Sequence, residues 1–565
     1  MKTLKYILYF VLLGGITVAT TIYLMSDNSS IEFHSPEPSI PDITSDMVIP
    51  TTHVPRSVNW TNTHLTELMQ NELERRTRCS TNSYINSTVE VDYKFRYDYG
   101  VEQNNGNVIL KSKDQKTARW LIDQYIRYLS ETDTCINADN LPPMIIDFKN
   151  VPYGNFDFAY REPHFSFNLE HKLHPVSGAH SVEEHWDLWG HNLPGELLKY
   201  GLDKNIYMSG NPRQICFSKQ ILFDSVSEYL KRRAESSNHR LNSRRLLIMP
   251  LDNMVACECS RCRALGNRHR YATPAVVDFI DRLAGRFPDY TFFTAAYHST
   301  AQPPNKRPKH RIGGVMMSAS ELYTGELDQQ KKEREFWETA MKWKNFTDTL
   351  YVWDYAANFN DYLTPLPVLY VLKKKLKFFR ECGINGIFLQ GSSYDYSPFD
   401  EVKTYVATAL MINGRLDIDV LCHHYFAQFY PVSAEILADY YLSLEKTMEQ
   451  RQLPCELHGN LGNAIDSYFI VDDFLEFYRK LGDLVTDDKL DAMEKKRLEK
   501  MYTALSFTWL QIELYRQTGS YDIEKLRGRT LTMTPEIETV INRLSKLTCM
   551  ASTTIKKRMG VWQIT

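Results

Sequence analysis

The sequence predicts an α/β protein built on a (β/α)8 TIM-type barrel, with a small N-terminal α/β domain and a C-terminal all-helical domain. Three observations support this prediction. Between about residues 155 and 415, apolar strands alternate with amphipathic helices, which is typical of a parallel sheet. A shorter stretch before this region mixes alternating strands with one helix. After residue 415, the pattern contains only amphipathic helices.

The first 26 residues predict a signal anchor. Lys2 and Lys5 precede an apolar run from Ile7 to Met25, which is about the length needed to cross a bilayer. No small-x-small cleavage site follows, so we expect a single-pass anchor with the bulk of the chain exported to the periplasm or cell surface. Secretion after cleavage of a signal peptide is the alternative. Residues 27–85 begin rich in Ser, Pro and Thr and predict a tether and linker.

Residues 86–150 predict the small α/β domain. STVEVDYKFRYDY alternates like a strand, and NGNVILKS follows a turn as a second strand. QKTARWLIDQYIRYLSE has helical spacing, and PPMIIDF is the third predicted strand. Cys79 and Cys135 are candidates for a disulfide across this domain.

Residues 151–415 predict the barrel, and the pattern marks seven strands in it. They are FDFAYRE (156–162), HWDLWGH (185–191), RRLLIMPL (244–251), YTFFTAAY (290–297), IGGVMMSA (312–319), DTLYVWDYA (348–356) and INGIFLQG (384–391). Seven strands over about 260 residues fit an eight-stranded barrel with one strand unassigned. Thr273 and Thr364, each followed by Pro, are predicted N-caps of barrel helices, and Gly383 is a predicted helix end.

Residues 416–565 predict the helical domain. Its candidate helices are SAEILADYYLSLEKTMEQ, DSYFIVDDFLEFYRKLGDLV, DDKLDAMEKKRLEKMYTALSFTWLQIELYR and TPEIETVINRLSKL. Each has apolar residues at helical spacing.

Composition narrows the function classes. The formal net charge of −3 argues against a general nucleic-acid binder, which needs a basic surface. The chain contains no GxGxxG and no GxxxxGK[ST], the usual nucleotide-binding motifs of a parallel sheet. The 34 Tyr, 27 Phe and 9 Trp suit a protein that stacks aromatic rings on sugars, although large cores also use aromatics.

Polar and aromatic side chains gather where the predicted strands end. In a barrel, function concentrates at this edge, because the loops there vary without disturbing the core. Aromatic faces stack on sugar rings, and amide, hydroxyl and imidazole groups bond sugar hydroxyls. The predicted substrate contacts are Arg161, Trp189, His191, Asn192, Asn253, Tyr297, His298, Trp353, Tyr355, Asn358, Gln390 and Tyr394.

Two carboxyl groups are needed for glycosidic hydrolysis by acid and base, and three strand-end acids are candidates. Asp354 is the first, and Asp252 or Glu162 is the second. Each also has a structural alternative. Asp354 could cap a helix or a loop, Asp252 could cap the loop that follows it, and Glu162 could form a buried ion pair with Arg161.

Cys257, Cys259 and Cys262 form a CxCxxC motif after the third barrel strand. A tetrahedral zinc would need a fourth ligand, which His269 or the distant Cys216 could supply. A second CxxC is absent, so a zinc ribbon is not indicated. We interpret the motif as a structural clasp, by zinc or disulfide, on a loop that positions Asp252 and Asn253. No other cofactor is expected.

Seven motifs occur in an order that resembles one bacterial, Bacteroidetes-type family. They are FAYRE, WGHNLPGELL, NPRQICFSK, the PxDN…CxCxxC segment, AYHSTAQPP, YVWDYAANFNDYL and GINGIFLQG. That family is a domain of unknown function with a CxCxxC motif, related in fold to the α-glucuronidases of glycoside hydrolase family 67. The resemblance covers roughly residues 90–450 and implies the same three-part architecture. It transfers no catalytic residue, and the cysteines carry over as a family hallmark without a stated role.

The leading hypothesis is an exported, membrane-anchored glycoside hydrolase that acts on a polysaccharide. A polysaccharide that contains uronic acid is one candidate substrate. Its expected partners are an oligo- or polysaccharide and, through the N-terminal helix, a membrane. The alternative is a non-catalytic carbohydrate-binding or polysaccharide-handling protein on a degenerate barrel. An assembly factor that uses the helical domain as its partner surface is a third hypothesis.

Overall fold

The structure is a computed structural model, and it describes most of the chain after the predicted tether. The described residues are 62–77, 87–104, 107–138, 141–148, 153–170, 178–235, 244–310, 312–320, 322, 326–452, 456–519 and 534–548. The predicted signal anchor and most of the predicted linker lie outside them. Among the described residues, no helix combines the length and apolar character that a membrane crossing requires.

The N-terminal part is a four-stranded sheet covered by helices. Its order is β1-β3-β2-β4, with β1 parallel to β3 and the other pairs antiparallel. Asp114 caps α2 by accepting a hydrogen bond from the Thr117 N–H, and the helix buries Trp120. The elements are α1 (Thr63–Arg76), β1 (Ser87–Val91), β2 (Tyr99–Asn104), β3 (Asn107–Ser112), α2 (Gln115–Thr132) and β4 (Tyr153–Gly154).

Two sequence predictions fail in this part. PPMIIDF is predicted as a strand, but its residues 142–148 form no strand. The backbone of this segment bonds a side chain and not a neighbouring strand. Gln124 donates to the Pro143 carbonyl and accepts from the Ile145 N–H. STVEVDYKFRYDY is predicted as one strand, but β1 ends at Val91, and the chain turns before β2 begins at Tyr99. Cys135 is disulfide-bonded, and Cys79 lies outside the described residues.

The central sheet has six parallel strands in the order β5-β12-β11-β10-β9-β8. A single parallel bridge, Leu188 to Leu246, adds the predicted HWDLWGH segment beside β8. The described strands therefore form a parallel half-barrel. The predicted eighth strand of a (β/α)8 barrel is absent from the described residues, because the chain after β12 forms helices. The strands are β5 (Tyr160–His164), β8 (Arg245–Leu247), β9 (Thr291–Ala296), β10 (Gly314–Ser318), β11 (Leu350–Tyr355) and β12 (Gly386–Gln390).

Large aromatic side chains fill the concave face of this sheet, where Tyr160 and Tyr351 stack with ring centroids 5.2 Å apart. Gly386 lies beneath them, and a Cβ there would meet the Cβ of Tyr160 at 2.6 Å and the Tyr351 ring at 2.8 Å. A small residue at this position thus lets two large rings pack across the strand. The opposite face carries aliphatic residues such as Val352 and Ile387 and packs against helices.

Short elements and helices surround the sheet. Thr273 does not cap α8, since its hydroxyl donates to the Gln302 carbonyl and the N-cap is Ala272. Gly383, with φ of +68°, follows the end of α10, as predicted. The elements are α3 (Ser166–Leu169), α4 (Val182–His185), α5 (Leu193–Lys199), β6 (Tyr207–Met208), β7 (Asn211–Ile215), α6 (Gln220–Glu235), α7 (Ser260–Leu265), α8 (Thr273–Arg286), α9 (Glu326–Lys344), α10 (Leu369–Glu381) and α11 (Asp400–Ile412).

The C-terminal part is helical in the described residues, and its core is continuous with that of the sheet. Glu445 reaches from α13 to the start of α10, where its carboxylate accepts hydrogen bonds from three main-chain N–H groups. The predicted N-cap Thr364 lies five residues before that helix begins. The helices are α12 (Ile418–Phe429), α13 (Ala434–Arg451), α14 (Leu461–Ser467), α15 (Val471–Leu484), α16 (Ala492–Thr518) and α17 (Pro535–Thr548).

Candidate functional site

A pocket of about 400 Å³ opens at the edge where the parallel strands end. We call it the strand-end pocket. Its polar side chains come from His191, Asp252, Ser318, Ser320, Gln390 and His458. Its aromatic rings come from Tyr297, Trp353, Tyr355 and Phe359. The pocket therefore combines flat apolar surfaces with hydrogen-bonding groups, as small-molecule sites commonly do.

Trp353 lines the pocket, while Trp189, another predicted substrate contact, lies outside the lining and packs against Trp353. Trp189 and Trp353 stack with ring centroids 5.1 Å apart and planes inclined by 23°. The indole N–H of Trp353 donates to Gln390 Oε1 at 2.6 Å. This bond fixes the Trp353 ring and the Gln390 amide relative to each other.

Tyr355 lies two residues beyond Trp353 and also lines the pocket. Burial raises the pKa of its hydroxyl to about 12, with smaller contributions from Asp354 and Asp252. The phenol therefore stays protonated at neutral pH and can donate a hydrogen bond.

A short loop on the same rim contributes His191, whose Nδ1 lies 2.7 Å from the Pro250 carbonyl. Because Nδ1–H donates to that carbonyl, Nε2 is the imidazole nitrogen that remains as an acceptor.

Asp252 is the carboxylate that lines the strand-end pocket among the described residues. Its side chain is 61% exposed, and Oδ1 lies 3.4 Å from Nε2 of His298. His298 adopts a left-handed backbone with φ of +49° and stacks on Tyr297 at 3.8 Å between ring centroids. This conformation is uncommon for a residue other than glycine, and it turns the imidazole toward Asp252.

Asp354 lies on the other face of its strand. Side chains alternate along β11, so Trp353 and Tyr355 face the pocket while Asp354 faces α10. Its carboxylate is 1% exposed, and Oδ1 lies 2.5 Å from Nζ of Lys375. This placement differs from the expectation of a pocket carboxylate, because strand alternation turns the residue outward.

Glu162 is fully buried on the concave face of β5. Its carboxylate accepts hydrogen bonds from the Val182 N–H at 2.9 Å and from the Tyr160 hydroxyl. Burial is the main cause that raises its pKa above the usual value of 4.5. Glu162 forms no ion pair with Arg161, which points to the opposite face and donates to the carbonyls of Gly178 and Phe158.

Several predicted substrate contacts lie outside the lining of the pocket. Arg161 is buried, and Asn192 is exposed at the start of α5. The Asn253 amide bonds Gln214 and the Arg213 carbonyl. Tyr394 is exposed, and its hydroxyl donates to the Glu183 carboxylate. Arg161, Asn253 and Tyr394 are thus engaged by hydrogen bonds away from the pocket, whereas Asn192 is exposed to solvent.

His458 and Phe359 line the pocket but are absent from the predicted contacts. The loop after β11 binds the loop at 456–460: the Phe359 N–H donates to Leu457 O at 2.7 Å, and the Asn358 amide donates to Gly459 O at 3.1 Å. Asn358 thus holds a loop in place, and that loop brings His458 to the pocket. The two segments are about a hundred residues apart, and no local pattern connects them.

Four cysteines form a second cluster next to this site. Cys216 follows β7, and its Sγ lies 3.9 Å from those of both Cys259 and Cys262. One Sγ atom from each of Cys216, Cys257, Cys259 and Cys262 lies within 4.8 Å of the others, so the cluster could hold a metal ion. The other proposed fourth ligand, His269, is 87% exposed and lies outside the cluster.

Main-chain N–H groups point at the sulfur atoms of this cluster. The N–H groups of Ser218, Cys259 and Cys262 donate to the sulfurs of Cys216, Cys257 and Cys259 respectively. Such bonds stabilise negative charge on sulfur, which is the form that binds metals. The Ser218 hydroxyl also lies 3.1 Å from Cys262 Sγ.

Gln214 connects the cysteine cluster to the pocket. This buried side chain sits two residues before Cys216, and its amide bonds both the N–H and the carbonyl of Leu251. It also donates to Asn253 Oδ1 at 3.0 Å. The segment that carries Asp252 is therefore held on both sides by a residue of β7.

Comparisons with known proteins identify one family match. Residues 182–442 match the family described as "Domain of unknown function (DUF4838)". No curated protein matches the sequence. The relation to the family 67 α-glucuronidases, and the CxCxxC motif as a mark of the family, stay predictions.

Solved structures similar to this chain include three glycoside hydrolase chains. A family 138 enzyme that targets pectin rhamnogalacturonan II has a TM-score of 0.38 and 9% identity, with 86% of this chain and 90% of that chain covered. A mutant Streptomyces plicatus β-hexosaminidase bound to its product has a TM-score of 0.33 and 12% identity, covering 66% and 87%. CpGH84D has a TM-score of 0.27 and 11% identity, covering 86% and 87%.

Proposed function

We propose that the strand-end pocket binds an uncharged sugar ring of an oligosaccharide, in a glycoside hydrolase-like protein. The lining of the pocket carries this proposal. Trp353, Tyr297 and Phe359 offer aromatic faces for the C–H surface of a pyranose ring. Gln390, His191 and Tyr355 offer fixed donors and acceptors for its hydroxyl groups.

The charge of the lining favours a neutral sugar over a uronic acid. Among the described residues, no Lys or Arg lines the pocket, and Asp252 contributes a negative charge. A sugar carboxylate would be repelled by Asp252 and would lack the guanidinium or ammonium partner that such groups usually receive. The uronic acid suggested by sequence is therefore the less well supported substrate.

Hydrolysis of the bound glycan is the second candidate function, and Asp252 is the observation that favours it. An acid–base mechanism usually requires two carboxyl groups about 5–10 Å apart across the scissile bond. Asp354 faces away from the pocket and Glu162 is fully buried, so neither supplies a second carboxylate to the pocket lining. Binding is for this reason the function that the geometry supports best.

The test uses the full-length protein and a matched panel of neutral and uronic-acid-containing oligosaccharides. We expect binding of a neutral glycan with at least tenfold preference over its acidic counterpart. Release of reducing sugar that falls about a hundredfold in Asp252→Asn, the scale of lost acid–base catalysis, would add hydrolysis to binding. Absence of binding to every neutral glycan, or a preference for acidic ones, would refute the proposal.

We further propose that the cysteine cluster holds a structural zinc ion. With Zn–S bonds of about 2.3 Å, a tetrahedron places its sulfur atoms about 3.8 Å apart. The distances of 3.9 Å from Cys216 to Cys259 and Cys262 are close to this value. A disulfide would require about 2.05 Å, so the arrangement fits metal binding better than a disulfide clasp.

The site would join two segments that are far apart in sequence. Cys216 follows β7, Cys257 and Cys259 lie in the loop after β8, and Cys262 lies in α7. Because Gln214 binds the same loop at Leu251 and Asn253, zinc would hold the Asp252 segment as one unit with β7. Zinc would supply structural stability here and no chemistry on the substrate.

For location, we propose that the chain is anchored by its N-terminal helix with the bulk exported. The apolar run from Ile7 to Met25 and the two preceding lysines support this. Membrane fractionation of cells that express the full-length chain tests it. Recovery in the membrane pellet, with residues after 27 open to added protease, is expected, and a soluble chain would contradict the anchor.

A further inference from the structure

Three side chains on the concave side of the sheet form a continuous hydrogen-bond relay, and none of them lines the strand-end pocket. Ser393 Oγ lies 3.2 Å from Nε2 of His164. The other ring nitrogen of His164, Nδ1, lies 3.0 Å from Oε1 of Glu162. We propose that Ser393, His164 and Glu162 form a nucleophile–base–acid triad that hydrolyses a carboxylic ester.

The relay has the order and burial that acyl transfer requires. Ser393 is half-buried, the His164 side chain is 11% exposed and Glu162 is fully buried. The nucleophile can therefore reach a substrate, while the acid is shielded from water. A buried carboxylate at Nδ1 holds the imidazole in the tautomer whose Nε2 accepts the hydroxyl proton.

Glu162 is itself fixed by two further donors. The Val182 N–H bonds Oε1, and the Tyr160 hydroxyl bonds Oε2 and in turn accepts the Trp186 indole N–H at 2.9 Å. Positioning of this kind prevents the carboxylate from rotating away from His164. The base of the triad is thus oriented before any substrate arrives.

Ser393 has a strained backbone. Its φ is +57°, in the left-handed region that residues other than glycine rarely occupy. Backbone conformations of this type concentrate at functional sites. Ser393 lies three residues after the end of β12, in a loop where a sharp turn can expose a nucleophile.

The hydroxyl of Ser393 is not needed to hold its loop. The N–H groups of both Gly391 and Ser393 already donate to the His164 carbonyl at 3.1 Å. The preceding residue, Ser392, shows the structural alternative, because its buried hydroxyl bonds the Asp395 carbonyl and the Asp400 carboxylate. Ser393 instead directs its hydroxyl to an imidazole nitrogen.

The chemistry balances with water as the only co-reactant. Ser393 Oγ bonds the ester carbonyl carbon as its proton moves to His164 Nε2, and the bond to the alcohol oxygen then breaks as that proton moves to the leaving alcohol. Water attacks the acyl-serine and gives a proton to His164, which returns it to Ser393 Oγ as the carboxylic acid leaves. Glu162 keeps the imidazolium oriented and does not take its proton.

The substrate class follows from the neighbours of the relay. His164 is the register partner of Gln390, which lines the strand-end pocket. An acyl group esterified to a sugar hydroxyl would place its carbonyl toward Ser393 while the ring occupies the pocket. This assignment of the alcohol rests on the proposed sugar site, but the triad itself does not.

A fluorophosphonate probe and p-nitrophenyl acetate test the triad without any sugar. We expect the full-length protein to be labelled once, at Ser393, as shown by peptide mapping. Ser393→Ala should abolish labelling and lower p-nitrophenyl acetate hydrolysis at least a hundredfold. Ser443→Ala is the matched control, since its half-buried hydroxyl bonds only a helix carbonyl, and it should change neither.

His164→Gln provides a second measurement on folded protein, checked by circular dichroism. It should slow labelling of Ser393 at least a hundredfold. Failure of the wild-type protein to be labelled at Ser393 would overturn the triad, as would equal labelling in His164→Gln. Neither result depends on whether the pocket binds a neutral glycan.

Discussion

Asp354 and Trp353 are neighbours in the chain and lie on opposite faces of β11. The indole reaches the pocket, while the carboxylate pairs with Lys375 on α10. Both charges of this pair are nearly inaccessible to water. Removing one charge of a buried pair deprives the other of that partner, which typically costs about 3–5 kcal/mol.

We therefore expect Asp354→Asn to lower the free energy of unfolding by about 3–5 kcal/mol and to leave glycan affinity unchanged at a temperature where the variant is folded. Denaturant titration and a binding isotherm measure the two quantities. The double variant Asp354→Asn/Lys375→Met should recover part of the stability. Loss of ligand binding or turnover without loss of stability would instead place Asp354 in the site.

Glu162 gives a pH dependence with a definite sign. Burial raises the pKa of its carboxyl group above the usual 4.5, so the folded protein keeps this proton to a higher pH than the unfolded chain does. The contribution to stability is complete below about pH 4.5 and is lost as pH rises through the folded-state pKa. Glu162→Gln removes this titration.

As pH rises above about 4.5, the free energy of unfolding of Glu162→Gln should consequently fall less than that of the wild type. Denaturant titrations at closely spaced pH values measure the difference, which separates Glu162 from the other titrating groups. Parallel pH profiles for the two proteins would show that Glu162 has no raised pKa.

At the scale of elements, the start of α10 depends on a side chain from another helix. Glu445 on α13 is buried and accepts hydrogen bonds from the N–H groups of Val368, Leu369 and Tyr370. Its neighbour one turn later, Glu449, forms an exposed ion pair with Lys374. The two glutamates thus present the same chemistry in buried and exposed settings.

Glu445→Gln should destabilise the protein by about 1–3 kcal/mol, because three donors lose a charged acceptor. Glu449→Gln should change stability by less than about 0.5 kcal/mol, since exposed ion pairs contribute little. Thermal unfolding of both variants makes the comparison. Equal effects would show that Glu445 does not hold the helix start.

The cysteine cluster joins β7 to the loop after β8, and metal analysis tests the proposed zinc. The full-length protein, purified without chelator, should contain about one zinc per chain. Cys216→Ser should lose zinc and unfold at a lower temperature, as expected when binding energy is part of folding energy. Cys382→Ser, a buried free thiol outside the cluster, should keep its zinc.

Absence of zinc from the wild-type protein would contradict the proposal. Full zinc occupancy in Cys216→Ser would show that Cys216 is not the fourth ligand. Cys257→Ser then serves as a second variant, because it belongs to the motif itself.

At the scale of the whole molecule, the order of elements was predictable because apolar periodicity is local. The strands β9 to β12 and the helices α13 and α16 lie close to where the pattern placed them. The eighth strand was not found because the chain after β12 continues as helices in the described residues. HWDLWGH has the pattern of a strand, but it makes only one bridge.

The site was only partly predictable, for a related reason. Strand ends indicated Trp353, Tyr355, Gln390, His191 and Asp252, which all line the pocket. Two features required three-dimensional information. Which face of β11 carries Asp354 depends on how the strand lies in the sheet. His458 reaches the pocket because its loop contacts a segment about a hundred residues earlier. Cys216 was one of two candidates for the fourth zinc ligand, and its proximity to the other three cysteines selects it over His269.

The central claim is that the strand-end pocket binds a sugar through its aromatic wall. The dissociation constant of the best neutral oligosaccharide for Trp353→Ala, with Trp337→Ala as control, tests it most directly. Trp337 is an exposed indole on α9 and does not line the pocket. We expect at least tenfold weaker binding in folded Trp353→Ala and none of that loss in Trp337→Ala. Equal affinity of Trp353→Ala and the wild type would contradict it.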